Sequence, residues 1–363
     1  MIISRTPYRL SFFGGGTDYP AWYRQHGGAV LATTIDKFCY LSCRYLPPFF
    51  EHRIRVVYSK IELCQHIDEV SHAAVREALR FMGCGRSIEI HHDGDLPARS
   101  GIGSSSSFTV GLLHALHALN GRMISKQQLA REGIHLEQDV LKETVGSQDQ
   151  VLAAYGGLNH VVFHRSGEID VCPVVISPER KAELNSYVML YFTGINRTSS
   201  NVAGSYAHRF SEREKQMKAI SSLVDESLNI LVGGRPLEEF GQLLHESWVH
   251  KSSLSGAVTN PMIDEIYEDA LAEGALGGKL LGAGGGGFLM LFVSPDDQDR
   301  VAHRLKNLVR VPIRFENAGS QIIFLDPEVD YSREDEERSL AGPRVYRELS
   351  DCFEDRASTR AEG

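Results

Sequence analysis

The sequence predicts an α+β protein of two domains that share a cleft. The chain has 363 residues, more than one ordinary core serves. Strand-like stretches alternate with helical ones along most of its length, and strands mixed with helix pairs suggest two α+β units. Three glycine clusters, at Gly14–Gly16, Gly101–Gly103 and Gly282–Gly287, punctuate these segments. With 42% hydrophobic and 23% charged residues, the chain has ample apolar material for buried cores, so disorder is not the reading.

Residues 2–13 alternate as a strand until the first glycine cluster stops them, and 29–45 and 53–58 read as further strands. Residues 70–82 have helical spacing, with Val70, Ala74, Ala78 and Phe81 on one face and Gly83 as the stop. A short strand at 87–91 precedes a turn at Asp93-Gly94-Asp95. A helix then follows the second glycine cluster, with Phe108, Leu112, Ala115, Leu116 and Leu119 at its apolar positions and Asn120-Gly121 at its end. Ser125 with Gln128 forms a capping box for a helix running to about residue 141. Residues 145–157 are irregular or helical and 159–164 a strand. The second unit begins with a strand at 187–192, followed by helical sequence over 201–252 broken at Gly233-Gly234 and a helix at 261–272. The third glycine cluster lies within a loop at 277–287, before an apolar strand at 288–293. A helix capped by Ser294 and two strands, 311–315 and 321–325, close that unit. Beyond Asp326 a run charged on both signs reads as a solvated or partly disordered tail.

A net charge of −9 argues against a nucleic-acid binder, which normally carries a basic face or tail. It does not exclude an anionic small ligand, which needs only local donors and a helix N-terminus. Arg5 and Arg9 break the apolar run at the start, so no secretory signal is read there, and no stretch reaches membrane-spanning length. The six cysteines, Cys39, Cys43, Cys64, Cys84, Cys172 and Cys352, form no C-x-x-C pair and read as reduced thiols. A cytoplasmic protein without a membrane or nucleic-acid partner is expected, with a homodimer left open.

Two loops are candidates for holding phosphate. Gly101-Ile102-Gly103-Ser104 opens a helix, where glycines admit an anion to backbone amides and the helix dipole favours it. An ordinary N-cap needs one serine, whereas four follow here, adding donors and candidate Mg²⁺ ligands. Gly282–Gly287 contains G-x-G-x-x-G, but a strand follows it instead of the helix a dinucleotide site requires. A G-x-x-x-x-G-K-[ST] loop is absent.

The three clusters in this order resemble the GHMP kinase family. Pro7 through Asp18 is similar to its first motif, Pro97 through Ser105 to its second with Ile102 in place of Leu, and Lys279 through Phe288 to its third. Within that family, Gly14-Gly15-Gly16-Thr17-Asp18, Gly146–Gln150 and Thr193–Arg197 resemble the D-glycero-D-manno-heptose 7-phosphate kinases. The resemblance implies a ribosomal protein S5 domain 2-like N-terminal domain (1–180), a ferredoxin-like C-terminal domain (181–328) and a charged tail (329–363). It implies ATP and Mg²⁺ as cofactors and a small sugar phosphate as substrate. ATP would lie on Pro97, Gly101, Gly103, Ser104, Ser105 and Ser106, and Mg²⁺ on Ser105 and Glu137, with Glu132 and Asp139 as neighbouring carboxylates left open. Asp149 would face the attacked hydroxyl with Arg9 beside it. Gly15, Gly16, Thr17, Asp18, Gly285 and Gly286 would meet the sugar, and Arg197, then Lys251 and Arg99, its distal phosphate. Phosphorylation of the anomeric hydroxyl, giving heptose 1,7-bisphosphate for nucleotide-heptose and capsule or lipopolysaccharide assembly, is the expected reaction. The alternatives are a 1-kinase for fucose, arabinose, galactose or a uronic acid, or a catalytically silent sugar and ATP sensor.

Overall fold

The computed structural model describes residues 1–48, 50–98, 100–195, 202, 204, 210–326, 329 and 331–341. The first unit holds β1 (Ile2–Phe13), α1 (Pro20–His26), β2 (Gly28–Tyr45), β3 (Ile54–Val57), β4 (Ile61–Cys64), α2 (Ala73–Phe81) and β5 (Ile88–Gly94). It continues with α3 (Ser104–Leu119), α4 (Lys126–Ile134), α5 (Gln148–Tyr155), β6 (Leu158–Phe163), β7 (Ile169–Pro173) and α6 (Pro178–Ser186). The second holds β8 (Val188–Phe192), α7 (Glu214–Val232), α8 (Leu237–Ser252), α9 (Pro261–Ala272), β9 (Ala275–Leu280), β10 (Phe288–Val293), α10 (Gln298–Arg304) and β11 (Val309–Val311). After it come β12 (Phe315–Glu316), β13 (Gln321–Leu325) and α11 (Ser332–Ala341).

Local chemistry sets several boundaries. The Ser125 hydroxyl accepts from the Gln128 amide at 3.1 Å to open α4, and Asn260 caps α9 through the Ile263 amide at 3.2 Å. Helix α4 does not run on regularly to residue 141: a π-helical turn at His135–Val140 follows it, and such turns often accompany functional sites.

The larger sheet runs β13-β1-β2-β5-β3-β4, with β6 and β12 also on the long strand β2 and β7 on β6. Every residue of β1 except Ile3 and Arg5 is buried, so the strand needs cover on both faces. Helix α3 supplies one cover, with Ser4 Oγ donating to the Gly111 carbonyl at 2.8 Å. The other comes from the second unit, where Phe240 of α8 packs edge-on against Phe12 and Phe13 with centroids 5.5 and 5.0 Å apart. One apolar cluster thus runs from the first sheet into the second, an antiparallel β11-β8-β10-β9 sheet.

The overall architecture is the expected α+β one, but three expectations change. The last two strands do not close the second unit: β12 pairs with β2 and β13 with β1, both antiparallel, so the chain returns to its first sheet. Residues 277–280 belong to β9, a buried strand in which Gly277 allows tight packing on α8 and Gly278 close approach to β10. Helix α11 is docked at Asp335, which is buried and accepts from the Ser87 hydroxyl at 2.9 Å. No helix among the described residues is long and apolar enough to cross a membrane.

Candidate active site

The junction of the two sheets encloses a cavity of about 290 Å³. Each wall follows from a local feature. Strand β1 projects Arg9 inward, and its guanidinium grips Asp149 in bidentate fashion, Nε to Oδ1 and Nη2 to Oδ2, both at 2.7 Å. Such a fork fixes the carboxylate plane. Asp149 lies in the first turn of α5, where a negative charge suits the helix dipole. The remaining Arg9 nitrogen, Nη1, donates to the Gly101 carbonyl at 2.6 Å, tying the ion pair to the loop before α3.

That loop ends at Gly103, the N-cap of α3, with φ +76° and no side-chain cap. A Cβ at Gly103 would stand 3.2 Å from Arg9 Cγ and 3.4 Å from Asp149 Oδ2. The uncapped helix mouth therefore opens beside the Arg9–Asp149 pair. Ser104, Ser105 and Ser106 line the cavity at this mouth, and the first turn of any helix leaves amides without intrahelical partners. The mouth fits an anion such as a nucleotide's phosphates.

Behind Ser106 lies Glu137, on the π-helical turn and 1% exposed. Its Oε2 accepts from the Ser106 hydroxyl at 2.9 Å and the Gln150 amide at 2.5 Å. Its Oε1 has no hydrogen bond of normal geometry, although the Thr109 hydroxyl lies near enough to favour the charged form. Burial outweighs these donors and pushes the Glu137 carboxyl up to about 7. Asp18 is likewise buried; burial first, then the Asp149 charge, raises its pKa against the Gly16 and Gln148 amides that bind its carboxylate.

Of the residues named from sequence, Arg9, Gly15, Gly16, Asp18, Gly101, Gly103, Ser104, Ser105, Ser106 and Asp149 all line this one cavity. Glu137 stands behind the wall and pairs with Ser106; Ser105 is exposed at the mouth. Four named residues turn elsewhere. Thr17 is fully buried, its hydroxyl donating to the Gly14 and Ala29 carbonyls at 2.8 Å, so it shapes the turn and presents nothing to a sugar. Pro97 is outside the lining, and its carbonyl accepts from the Ser100 hydroxyl at 2.6 Å to form the turn before Gly101–Gly103. Gly285 and Gly286 are buried away from the cavity. The Gly285 amide donates to the Val258 carbonyl at 2.8 Å, and a Cβ on Gly286 would stand 2.4 Å from the Ile195 carbonyl oxygen. Gly282 and Ala283 face the cavity in their place. Arg197 and Arg99 lie outside the described residues.

Further lining groups lay within the quoted motifs without an assigned role. Ser11 Oγ and Gln148 Oε1 are buried without hydrogen-bond partners, and both residues line the cavity. Lys279, at the head of the third motif, does so too, next to Lys251. Ser11 follows Arg9 at strand spacing, which could have placed it on the same face; the burial of Lys279 leaves no such mark in sequence, whereas Lys251, named as a candidate for the distal phosphate, lines the cavity as well.

The model of the GHMP kinases N-terminal domain matches residues 69–157, and that of the GHMP kinases C-terminal domain matches 223–310. The chain belongs to the GHMP kinase family. Among curated relatives, the D-glycero-alpha-D-manno-heptose 7-phosphate kinase of Campylobacter jejuni is 27% identical over 307 residues, 81% of this chain and 90% of that protein. The L-fucokinase/L-fucose-1-P guanylyltransferase of Bacteroides fragilis is 27% identical over 350 residues, 84% of this chain and 36% of that longer protein. A solved D-glycero-D-manno-heptose 1-phosphate kinase from Bacteroides thetaiotaomicron shares the fold, with a TM-score of 0.73 at 24% identity over 90% of this chain and all of that one.

This GHMP kinase is therefore a phosphotransferase acting on an alcohol group, in a family of ATP-dependent enzymes. Its Glu137 carries a pH prediction. The folded protein retains a proton that the unfolded carboxyl releases above about 4.5, so this group's contribution to stability falls as pH rises from about 4.5 through 7. Glu137→Gln should flatten that slope. Denaturation midpoints without Mg²⁺ between about pH 5 and pH 8 should converge in the variant, while wild type loses on the order of 3 kcal/mol relative to it.

Proposed function

We propose that this GHMP kinase transfers the γ-phosphoryl group of ATP, with Mg²⁺, to the anomeric hydroxyl of D-glycero-D-manno-heptose 7-phosphate. The product would be heptose 1,7-bisphosphate, for nucleotide-activated heptose and capsule or lipopolysaccharide assembly. The observation that carries the reading is the shared cavity: an uncapped, serine-lined helix mouth opens beside a carboxylate held by a guanidinium, so close that a Cβ on Gly103 would stand 3.4 Å from Asp149 Oδ2. The Campylobacter relative, named as a heptose 7-phosphate kinase, supports the acceptor.

Phosphoryl transfer asks a protein mainly to position reactants and to stabilise charge. The mouth of α3 would receive the phosphates. Asp149, its plane set by Arg9, has lone pairs left to orient the hydroxyl and take its proton as the new O–P bond forms and the β,γ-bridging bond breaks. Asp18, Ser11 and Gln148 offer the polar groups to fix sugar hydroxyls. The residues near Ser106 fit a hard cation: Glu137 Oε1 lacks a normal hydrogen bond, and serine hydroxyls stand between it and the mouth. Mg²⁺ binds few protein oxygens and keeps its waters, so among the described residues the lack of a cluster of three or more His, Cys, Asp or Glu side chains fits that mode. Glu137 with Ser105 or Ser106 would hold it, and the metal would neutralise phosphate charge.

ADP release measured on a panel of acceptors tests the reading. The heptose 7-phosphate should be turned over with kcat/KM roughly 100-fold above unphosphorylated sugars, because charge-assisted bonds to its phosphate contribute about 1.5–3 kcal/mol. Equal or better turnover of fucose, which the Bacteroides fragilis relative makes the leading competitor, would replace the heptose with an unphosphorylated sugar.

A further inference from the structure

The floor of the cleft holds two ammonium groups with no carboxylate paired to either among the described residues. Lys279, on β9, is 2% exposed, and its Nζ has a single protein acceptor, the Phe12 carbonyl at 2.9 Å. Lys251, at the end of α8, is 6% exposed and donates to the Leu280 and Gly282 carbonyls at 3.0 and 2.6 Å. Each ammonium has three donors, so two on Lys279 and one on Lys251 are without a protein acceptor among the described residues, and both residues line the cavity. Buried charges are ordinarily paired, because desolvation is costly. Here the carboxylates whose charges reach the pair are already engaged: Asp149 by Arg9, and Asp18 by the Gly16 and Gln148 amides. Glu143 lines the same cavity from the loop before α5. The consequence is visible in both groups. Burial lowers Lys251 to about 7, with the Arg9 charge acting in the same direction. Burial, then Lys251 and Arg9, pushes Lys279 well below its ordinary value.

We propose that Lys279 and Lys251 form a paired ammonium site that receives a phosphate oxyanion in the cleft floor, between the serine mouth of α3 and Asp149. The arrangement is incomplete without an anion and complete with one: the ligand supplies the acceptors the protein withholds. The oxyanion has two sources, the γ-phosphoryl group in transfer and the acceptor's own phosphate. Contact with the former makes the lysines catalytic by stabilising charge on the moving group. The proposal rests on the kinase reading of the cleft and is independent of which sugar is phosphorylated.

Calorimetric titration of the full chain separates these cases, using AMP-PNP against ADP with Mg²⁺, and heptose 7-phosphate against heptose. In the first arm, Lys279→Met should weaken AMP-PNP by at least about tenfold, the loss of one charge-assisted contact, while ADP stays within twofold. Lys279→Arg should recover part of the loss. A fall confined to the sugar phosphate assigns the oxyanion to the acceptor. In the apo state Lys279→Met should melt at or above the wild-type temperature, since a buried uncompensated charge is removed. Should the methionine variant fail to fold, Lys279→Gln, which keeps a donor for the Phe12 carbonyl, repeats the titrations. Affinities within twofold of wild type for all four ligands, with or without a lowered melting temperature, would show Lys279 to be structural and overturn the proposal. Failure of the wild type to bind AMP-PNP at all would instead remove the kinase reading itself.

Discussion

Asp149→Asn should lower kcat by about a thousandfold or more while nucleotide affinity stays within a few-fold of wild type. The asparagine keeps the shape but loses one acceptor facing Arg9, and its amide nitrogen would point a donor at the guanidinium or at the substrate hydroxyl. General base action contributes typically 10²–10⁴ in rate, and loss of the fork adds misorientation of the carboxyl plane. Asp149 makes no hydrogen bond to the loop before α3 among the described residues; Arg9 joins the two by bonding to the Gly101 carbonyl. Steady-state kinetics beside AMP-PNP titration decide the matter. Preserved turnover would mean that another group accepts the proton.

Gly103→Val should be nearly as damaging by a different route. Its φ of +76° lies where a β-branched residue is a genuine outlier. The left-handed conformation costs about 1–2 kcal/mol per L-residue. The Cβ would also press on Arg9 Cγ at 3.2 Å and Asp149 Oδ2 at 3.4 Å, so either the helix mouth or the acid–base pair must shift. A displacement of about 1 Å at a reacting group can cost roughly a hundredfold in rate. The expected result is at least tenfold weaker AMP-PNP binding together with a kcat loss of about a hundredfold. Gly103→Ala should show the same pattern more mildly. Loss of nucleotide affinity alone, with kcat intact, would show that the mouth and the pair are not coupled through this position.

The parts of the fold that were legible in sequence are those with strong local patterns. The apolar strand Phe288–Val293, the Pro261-initiated helix and the Ser125 cap are where the sequence places them. Long-range pairing left no such trace: nothing in Gln321–Leu325 states that it will lie along β1 and not beside β11. Strand β9 was hidden because Gly277 and Gly278 merge with the glycine-rich segment that follows, whereas close packing against α8 and β10 is what requires them. Within the site, glycine and serine motifs led to the helix mouth, and the first motif led to Arg9 and Asp18. Thr17, Pro97, Gly285 and Gly286 show the limit of that route, since a residue in a motif can support a loop from behind as readily as face its ligand. Lys251, named from sequence among the candidates for the distal phosphate, does line the cavity, whereas Lys279 shows the opposite limit, because in sequence a buried lysine is indistinguishable from a solvated one.

The account depends most on one cavity holding both the phosphoryl donor and the hydroxyl that attacks it. A crystal structure of the chain with AMP-PNP, Mg²⁺ and heptose 7-phosphate tests this directly. The account predicts the triphosphate on the Ser104–Ser106 turn and the anomeric oxygen within about 3 Å of an Asp149 oxygen, the reach of a proton-transferring hydrogen bond. A nucleotide bound away from that helix mouth, or a sugar whose anomeric carbon faces away from Asp149, would contradict it.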